Sequence, residues 1–333
     1  MAGLVAAARA RELGAEPVVY EKGSRAGGSM LLSSGFAWRY RTAEIFQEQC
    51  PGGDPVLQHL ILEHFDDALD WLESLGVELL TRDTGNPLTI GARFDPRQLV
   101  GMLGLDVRLG ETTELPTILA TGGFPARLAR EKQLLLRANP WSEGDGLDLA
   151  VGRGAATVGD LEEFYGRAMP AVEELAEEDF VRLSQLYGRH ATVTSFDGSE
   201  RFEGEATWSE IDLAQQIARW PGGRAWYTIE REALDARVRE RTVREMVEEA
   251  RAAGAEVREE DGRTSVLVRA AVTQTLGGLR VDERARVLRE GGDPVERLYA
   301  AGVDIGGIST GGWSSGLATA LVFGVVAAES ALS

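Results

Sequence analysis

The sequence predicts an α/β fold, on three observations. Residues 1–22, MAGLVAAARARELGAEPVVYEK, have the pattern of a small-residue helix, a turn and a short strand that ends at an acid, Glu21. Two further short strands, 105–110 and 116–124, come after a predicted helix in 93–103, and the second strand ends in a glycine pair. The 40 glycines indicate many tight turns and close backbone approaches.

The first 22 residues match the second half of a dinucleotide-binding unit. Its fingerprint is G-x-G-x-x-G between a strand and a helix, with an acid about 20 residues further on. Gly3 matches the third glycine and Glu21 the acid, so the first strand and two glycines would precede Met1. Half a fingerprint also fits any helix followed by any strand. We expect an upstream start, the alternatives being a degenerate relative or a different segment that fills the gap.

Composition excludes several functional classes. A net charge of −18 argues against nucleic acid and anionic membranes as partners. The single cysteine, Cys50, excludes an internal disulfide, an in-chain iron–sulfur relay and a CxxCH haem site. No signal peptide is visible, and the longest apolar run, 317–328, is too short to span a bilayer. These features predict a cytoplasmic protein without membrane insertion and without a metal site.

The rest of the chain divides by character. Apolar residues recur at threes and fours over 55–76, which predicts a helix, whereas 23–41 reads as a Gly- and Ser-rich loop. Residues 164–264 are acidic, and within them 231–262 predict a charged amphipathic helix with a turn. We interpret 164–264 as an inserted capping or substrate domain; residues 1–163 and 265–333 then form the other domain.

Five motifs, in order, resemble those of one flavoprotein family. They are YEKGSRAGGS, ILATGGF, GDGLDLA, TLGGLRVD and LYAAGVDIGG…SSGLATALVFG. Together they resemble the FAD-dependent family of fumarate reductase, succinate dehydrogenase flavoprotein subunits and 3-ketosteroid Δ1-dehydrogenase, over nearly the whole chain. The resemblance implies a Rossmann-like FAD-binding domain with an inserted α+β capping domain. Against the family pattern, this chain starts late and is shortened between VRLG and PTILATGG.

The resemblance also implies which positions contact FAD. Glu21 would hold the adenosine ribose, Asp304 the sugar-like chain of the flavin, and the start of the last helix would face the flavin N1–O2 edge. Residues 27–35 contain no histidine, so the flavin is expected to be non-covalent. The implied contacts are Gly3, Glu21, Lys22, Gly27, Gly28, Ser29, Thr121, Gly122, Gly123, Asp145, Gly302, Asp304, Ser315, Gly316 and Leu317.

The implied reaction moves hydride between flavin N5 and a carbon next to a carbonyl. Where dicarboxylate enzymes place cationic residues, this chain has Ser209, Gln274 and a loop, 306–316, without His or Arg. An apolar or cyclic enone-type substrate is therefore favoured over a C4 dicarboxylate.

The family's steroid-type sites use tyrosines and apolar walls, so the catalytic candidates are Tyr165, Tyr227 and Arg224. Arg224 or Arg167 would polarise the carbonyl, although a lone arginine is more often half of a surface ion pair. The implied partners are a small-molecule substrate and an electron acceptor or donor of unidentified nature. The alternative is an inactive remnant or an interaction fragment.

Overall fold

A computed structural model describes all residues, 1–333. Apolar spacing and end signals explain the longest helix: Asp54 caps it by accepting bonds from the amides of Val56 and Leu57, and a proline follows the cap. The α-helices are α1 (Ala2–Glu12), α2 (Ala43–Gln49), α3 (Pro55–Ser74), α4 (Pro96–Leu103), α5 (Pro125–Glu131), α6 (Asp145–Gly152), α7 (Asp179–Arg182), α8 (Ile211–Arg219), α9 (Val243–Ala252) and α10 (Gly316–Ala331).

The strands are short, with one exception of 13 residues. They are β1 (Val19–Glu21), β2 (Phe36–Tyr40), β3 (Leu79–Thr81), β4 (Thr89–Phe94), β5 (Val107–Leu109), β6 (Ile118–Leu119), β7 (Leu135–Leu136), β8 (Thr157–Val158), β9 (Phe164–Pro170), β10 (Ala191–Ser195), β11 (Arg224–Glu230), β12 (Arg237–Val238), β13 (Arg241–Thr242), β14 (Val257–Glu260), β15 (Arg263–Thr275), β16 (Gly278–Leu279), β17 (Arg286–Leu288) and β18 (Pro294–Ala300).

The chain divides into two compact units. The first consists of Met1–Phe124, Asn139–Glu163 and Gln274–Ser333, and the second of Pro125–Ala138 and Phe164–Thr273. The segment predicted as an inserted domain, 164–264, lies within the second unit. Its role as a cap over a substrate stays a prediction.

In the first unit, two separate groups of strands carry the parallel pairings. β1 pairs in parallel with β5, with Val19 opposite Val107, and has no other strand neighbour. β6 pairs in parallel with β18, with Ile118 opposite Tyr299, and β17 continues that sheet. Helix α1 contacts both β1 and β6. The two groups are therefore linked through packing against one helix and not through a continuous backbone ladder.

The core of the first unit lies where α10 meets α1, α3 and β2. Small residues allow α1 and α10 to approach each other closely, because a Cβ placed on Gly324 of α10 would lie 2.8 Å from Cγ1 of Val5 on α1. Ala6, Ala10 and Ala328 form a buried cluster against which Ile118 packs. These contacts explain why most of the buried residues of α1 are alanines.

The prediction of a loop over 23–41 is wrong at its end. Residues 36–40 form strand β2, which pairs antiparallel with β4; β3 continues this small sheet. Ala37, Trp38 and Tyr40 are buried, and the hydroxyl of Tyr40 donates a 2.7 Å hydrogen bond to the carbonyl of Trp313. Long-range pairing thus organises a stretch whose local composition indicates a loop.

The second unit is built on a six-stranded sheet in which β15 is the central strand. β15 pairs with β11, β14, β7 and β9, and β10 extends the sheet beyond β11. The helix predicted over 231–262 is only partly present, because 231–235 form a 3₁₀ turn, β12 and β13 form a hairpin, and only α9 is α-helical. No helix in either unit has the length and apolar character needed to cross a membrane.

Candidate functional site

Asp304 lies at the centre of a hydrogen-bonded network at the end of β18. The strand runs into a 3₁₀ turn over Gly302–Asp304, where Gly302 has a φ of 70°. The Asp304 carboxylate accepts hydrogen bonds from the Thr121 hydroxyl at 2.6 Å, the Gly122 amide at 3.1 Å and the Thr121 amide. Burial raises the pKa of Asp304, and these donors oppose that rise. The network fixes the end of β18 against the end of β6.

The turn after β6 is shaped for close backbone approach. Gly122 and Gly123 have φ values of 86° and 68°, which favour glycine. A Cβ on Gly122 would lie 2.8 Å from the hydroxyl oxygen of Ser142, and one on Gly146 would lie 2.6 Å from the hydroxyl oxygen of Thr121. The start of α6, where Gly146 lies, therefore packs directly on this turn.

The end of β1 is joined to the same region by an ion pair. Lys22 Nζ lies 2.8 Å from a carboxylate oxygen of Asp145 and 3.3 Å from one of Glu143. The Glu21 carboxylate accepts a 2.8 Å hydrogen bond from the amide of Gly23. Thus Glu21 and Lys22 lie beside the start of α6, next to the turn held by Asp304.

The glycine-rich loop that contains Gly27, Gly28 and Ser29 is anchored by a residue that sequence reasoning missed. The backbone amide of Asn139 donates a 2.9 Å hydrogen bond to the Ser29 hydroxyl. A Cβ on Gly28 would lie 3.6 Å from Nδ2 of Asn139. Asn139 is 6% exposed, and its Oδ1 has no hydrogen-bond partner. The Asn-Pro pair at 139–140 signals a turn but gives no sign of this contact.

The last helix begins at a capped N-terminus. The Ser315 hydroxyl accepts a 3.3 Å hydrogen bond from the amide of Ala318, as an N-cap does. A Cβ on Gly316 would lie 2.3 Å from Oε1 of Gln274. The first turn of α10, which includes Leu317, leaves partial positive charge at the helix start.

The polar groups of this region fit a cofactor with several acceptors and donors. Besides Asn139 Oδ1, the hydroxyl oxygen of Thr275 is buried without a partner. Thr275 lines a small cavity together with Gln274, Val303 and Thr319. The glycine turns leave the backbone open to a ligand, and the two buried oxygens without a partner are free to form hydrogen bonds with it. The N-terminus of α10 favours negative charge. Together these features suit a flavin nucleotide. Of the predicted contacts, Gly3 is on α1, where its Cβ would lie 3.3 Å from that of Ala120, next to the turn.

The three predicted catalytic residues lie in the second unit, and two of them face opposite sides of its sheet. Arg224 and Tyr227 are on β11, and their spacing of three places the side chains on opposite faces of the sheet. Tyr227 is fully buried, its hydroxyl has no hydrogen-bond partner, and burial raises its pKa. The Arg224 guanidinium lies 3.9 Å from the ring centre of Phe196. Tyr165 is on β9, with the Arg167 guanidinium 5.1 Å from its ring centre.

Comparison with a protein-family profile decides the class. The profile of the FAD binding domain family matches residues 1–105 and 111–317. The chain belongs to the FAD binding domain family. The protein is an FAD-dependent oxidoreductase, and the predicted fold class, a Rossmann-like FAD-binding domain with a capping domain, is confirmed.

Several solved structures of other proteins share the fold of this FAD binding domain protein at low sequence identity. An open conformation of a flavocytochrome c3 fumarate reductase matches with a TM-score of 0.70 and 20% identity, over 100% of this chain and 77% of that one. A 3-ketosteroid-Δ4-(5α)-dehydrogenase from Rhodococcus jostii RHA1 matches with a TM-score of 0.70, 16% identity and coverage of 100% and 95%. A 3-ketosteroid Δ1-dehydrogenase from Sterolibacterium denitrificans matches with a TM-score of 0.71 and 14% identity, over 99% of this chain and 97% of that one. The resemblance to both enzyme types is therefore one of fold.

Proposed function

We propose that this FAD binding domain protein holds FAD non-covalently along the Asp304 network and transfers hydride to or from a carbon next to a carbonyl. When bound, the flavin supplies the hydride chemistry at its N5. The observation that carries the proposal is that Lys22, the residue after Glu21, meets the 121–123 turn and Asp304 at the start of α6, although these residues lie far apart in sequence.

Different residues of the first unit would bind different parts of FAD. Glu21 supplies a carboxylate for the adenosine ribose, and the glycines at 27–28 and 122–123 let the backbone approach the pyrophosphate and the flavin. Ser315 fixes the first turn of α10, whose positive end favours negative charge that develops on the flavin. With no histidine in 27–35, nothing in that loop provides the covalent link that some relatives of this kind use.

For the substrate, we propose an apolar or cyclic enone-type carbonyl compound in preference to a C4 dicarboxylate. The support is the loop 306–316, which carries no His or Arg, and Gln274, whose side chain lies against Gly316. Tyr165 and Arg224 remain the proposed groups for proton transfer and carbonyl polarisation. Tyr227 is the weakest of the three candidates, because its hydroxyl is fully enclosed.

The test is a single-turnover experiment on the purified chain. We expect the protein to take up added FAD, to release it on denaturation, and, after anaerobic photoreduction, to be reoxidised by a cyclic enone and not by fumarate. Reoxidation by fumarate alone would overturn the substrate proposal. A colourless chain that takes up no FAD would overturn the cofactor site and favour the alternative of an inactive interaction fragment.

A matched pair of variants connects the reaction to the second unit. Arg224→Gln removes the proposed polarising group, and Arg231→Gln removes an exposed arginine seven residues along the chain. We expect slower enone reduction in the first variant and unchanged reduction in the second. Equal rates in both would exclude Arg224 from the reaction.

A further inference from the structure

Asn139 is a buried polar residue between two glycine turns of the first unit. Its backbone amide holds the Ser29 hydroxyl, and its side-chain Nδ2 lies 3.6 Å from the position that a Cβ on Gly28 would occupy. Three residues later, the Ser142 hydroxyl oxygen lies 2.8 Å from the position of a Cβ on Gly122. The short segment 139–142 therefore connects the two glycine turns that are proposed to approach FAD.

The turn at 139–142 does not use the side chain of Asn139. A 3.1 Å hydrogen bond from the backbone amide of Ser142 to the carbonyl of Asn139 closes it. Asparagine in a turn commonly accepts a hydrogen bond at Oδ1 from the amide two residues later, yet Oδ1 of Asn139 accepts none. Pro140 favours an extended backbone at Asn139 whatever its side chain. The local conformation therefore gives no reason for an amide side chain at this position.

Gln58, in the same unit, shows how a buried amide side chain with a structural role is paired. Gln58 is 3% exposed, and its Nε2 donates hydrogen bonds of 3.2 Å and 3.0 Å to the carbonyls of Cys50 and Ile308. Most buried polar side chains have such partners, because an unpaired buried group lowers the stability of the protein. Asn139 is 6% exposed and its Oδ1 has no partner, which points to a partner outside the chain.

We propose that the side-chain amide of Asn139 binds the sugar–phosphate part of FAD through hydrogen bonds. The inference rests on the proposed function, because it requires FAD to lie along the glycine turns. An amide offers an acceptor oxygen and two donor hydrogens. An ionised phosphate only accepts hydrogen bonds, whereas a sugar hydroxyl also donates, so a sugar next to a phosphate satisfies both ends of the amide. FAD contains this pair of groups twice, once in its FMN half and once in its AMP half.

A residue of this kind affects cofactor binding and stability differently. Asn139→Leu replaces the amide with an apolar group of similar size. Without FAD, the substitution removes a buried oxygen that has no partner, so the urea midpoint of the variant should equal or exceed that of the wild-type chain. With FAD, we expect at least about a tenfold loss of affinity, because the hydrogen bonds to the cofactor are lost.

Asn86→Leu is the matched control. Asn86 lies in the loop before β4, and its Oδ1 accepts a 3.0 Å hydrogen bond from the backbone amide of Leu88. We expect this variant to unfold at a lower urea concentration than the wild-type chain and to bind FAD with unchanged affinity. Urea unfolding of the full chain before FAD is added measures stability, and fluorescence titration with FAD measures affinity. The two variants together separate a contact with the cofactor from a contact within the protein.

Competition against FAD by FMN and by ADP identifies the half of the cofactor that Asn139 contacts. The competitor that carries the contact should lose affinity in Asn139→Leu, and a loss in neither would contradict the sugar–phosphate assignment. Equal FAD affinities of the wild-type chain and Asn139→Leu would overturn this proposal and leave the proposed function intact. A urea midpoint lowered in Asn139→Leu as in Asn86→Leu would also overturn it, because the amide would then be structural. A wild-type chain that takes up no FAD would overturn the proposed function and this inference with it.

Discussion

The Thr121 hydroxyl donates a 2.6 Å hydrogen bond to the carboxylate of Asp304, a residue 183 positions later in the chain. The contact joins the ends of two neighbouring parallel strands. Asp304 is 2% exposed, so its carboxylate depends on protein donors for its hydrogen bonds. The stability of this junction and the binding of FAD are therefore expected to change together.

The substitution Asp304→Asn is expected to lower both the stability of the protein and its affinity for FAD. The uncharged amide has one acceptor oxygen where the carboxylate had two, so the charge-assisted hydrogen bonds from Thr121 and Gly122 are weakened, at a cost of about 1–3 kcal/mol. Urea unfolding measures the stability, and fluorescence titration with FAD measures the affinity. Asp106→Asn, at an exposed position of the same unit, is the control and should leave both unchanged. Full stability in Asp304→Asn would contradict the network.

Two glycines of α6 provide a paired test of the close approach at the turn. In Gly146→Ala the new methyl would lie 2.6 Å from the Thr121 hydroxyl oxygen and 3.2 Å from the Asp304 carboxylate, so Thr121 must move. We expect a loss of about 1–3 kcal/mol in stability together with weaker FAD binding. Gly152→Ala meets nothing within 4 Å, and its higher helix propensity makes it neutral or slightly stabilising. Similar behaviour of the two variants would refute the packing argument.

Removal of the cap on the last helix tests the helix start. Ser315→Ala leaves the amide of Ala318 without its acceptor, and we expect a loss of about 1 kcal/mol in the free energy of unfolding. FAD affinity should fall as well if the first turn of α10 faces the flavin. Ser330→Ala, near the other end of the same helix, exchanges serine for a better helix former and should be harmless. Thermal unfolding with and without FAD separates the two effects.

Glu210 is expected to make stability depend on pH. Burial raises its folded pKa to about 7 from a reference value of 4.5, so the folded state holds a proton that the unfolded state has lost between these values. Its contribution is therefore fully present below about pH 4.5 and disappears as pH rises through 7, a change of about 3 kcal/mol.

The comparison variant is Glu210→Gln, whose stability should lack this decline. Glu205→Gln, an exposed neighbour in the same loop, should retain it. Urea unfolding from pH 4.5 to 8 on all three proteins isolates the effect as a difference between curves. Parallel curves for the wild-type protein and Glu210→Gln would show that Glu210 titrates normally.

Local signals explain what the sequence could predict. α3 has apolar residues at helical spacing, a capping Asp54 and Gly76 just beyond its end, so its bounds follow from the sequence almost to the residue. The motif ILATGGF indicates a strand followed by a glycine turn, and both are present. The members of the Asp304 network could be named only because the order of motifs resembles a known family.

Features that depend on distant pairing could not be predicted. Phe36–Tyr40 becomes a strand because β4 lies beside it, and β4 is about fifty residues further along the chain. Asn139 anchors Ser29 across 110 residues, and no local pattern indicates that contact.

The separation of β1–β5 from β6–β18 has a consequence for dynamics. Each strand of the β1–β5 pair has three residues, and Tyr20 and Leu109 within it are 37% and 47% exposed. An isolated pair of this size has little protection of its own, so its amides should exchange with deuterium through small local openings, long before those of the seven-residue β11–β15 ladder. The loop that carries Gly27 and Gly28 starts at this pair, and we expect it to become slower to exchange when FAD is added.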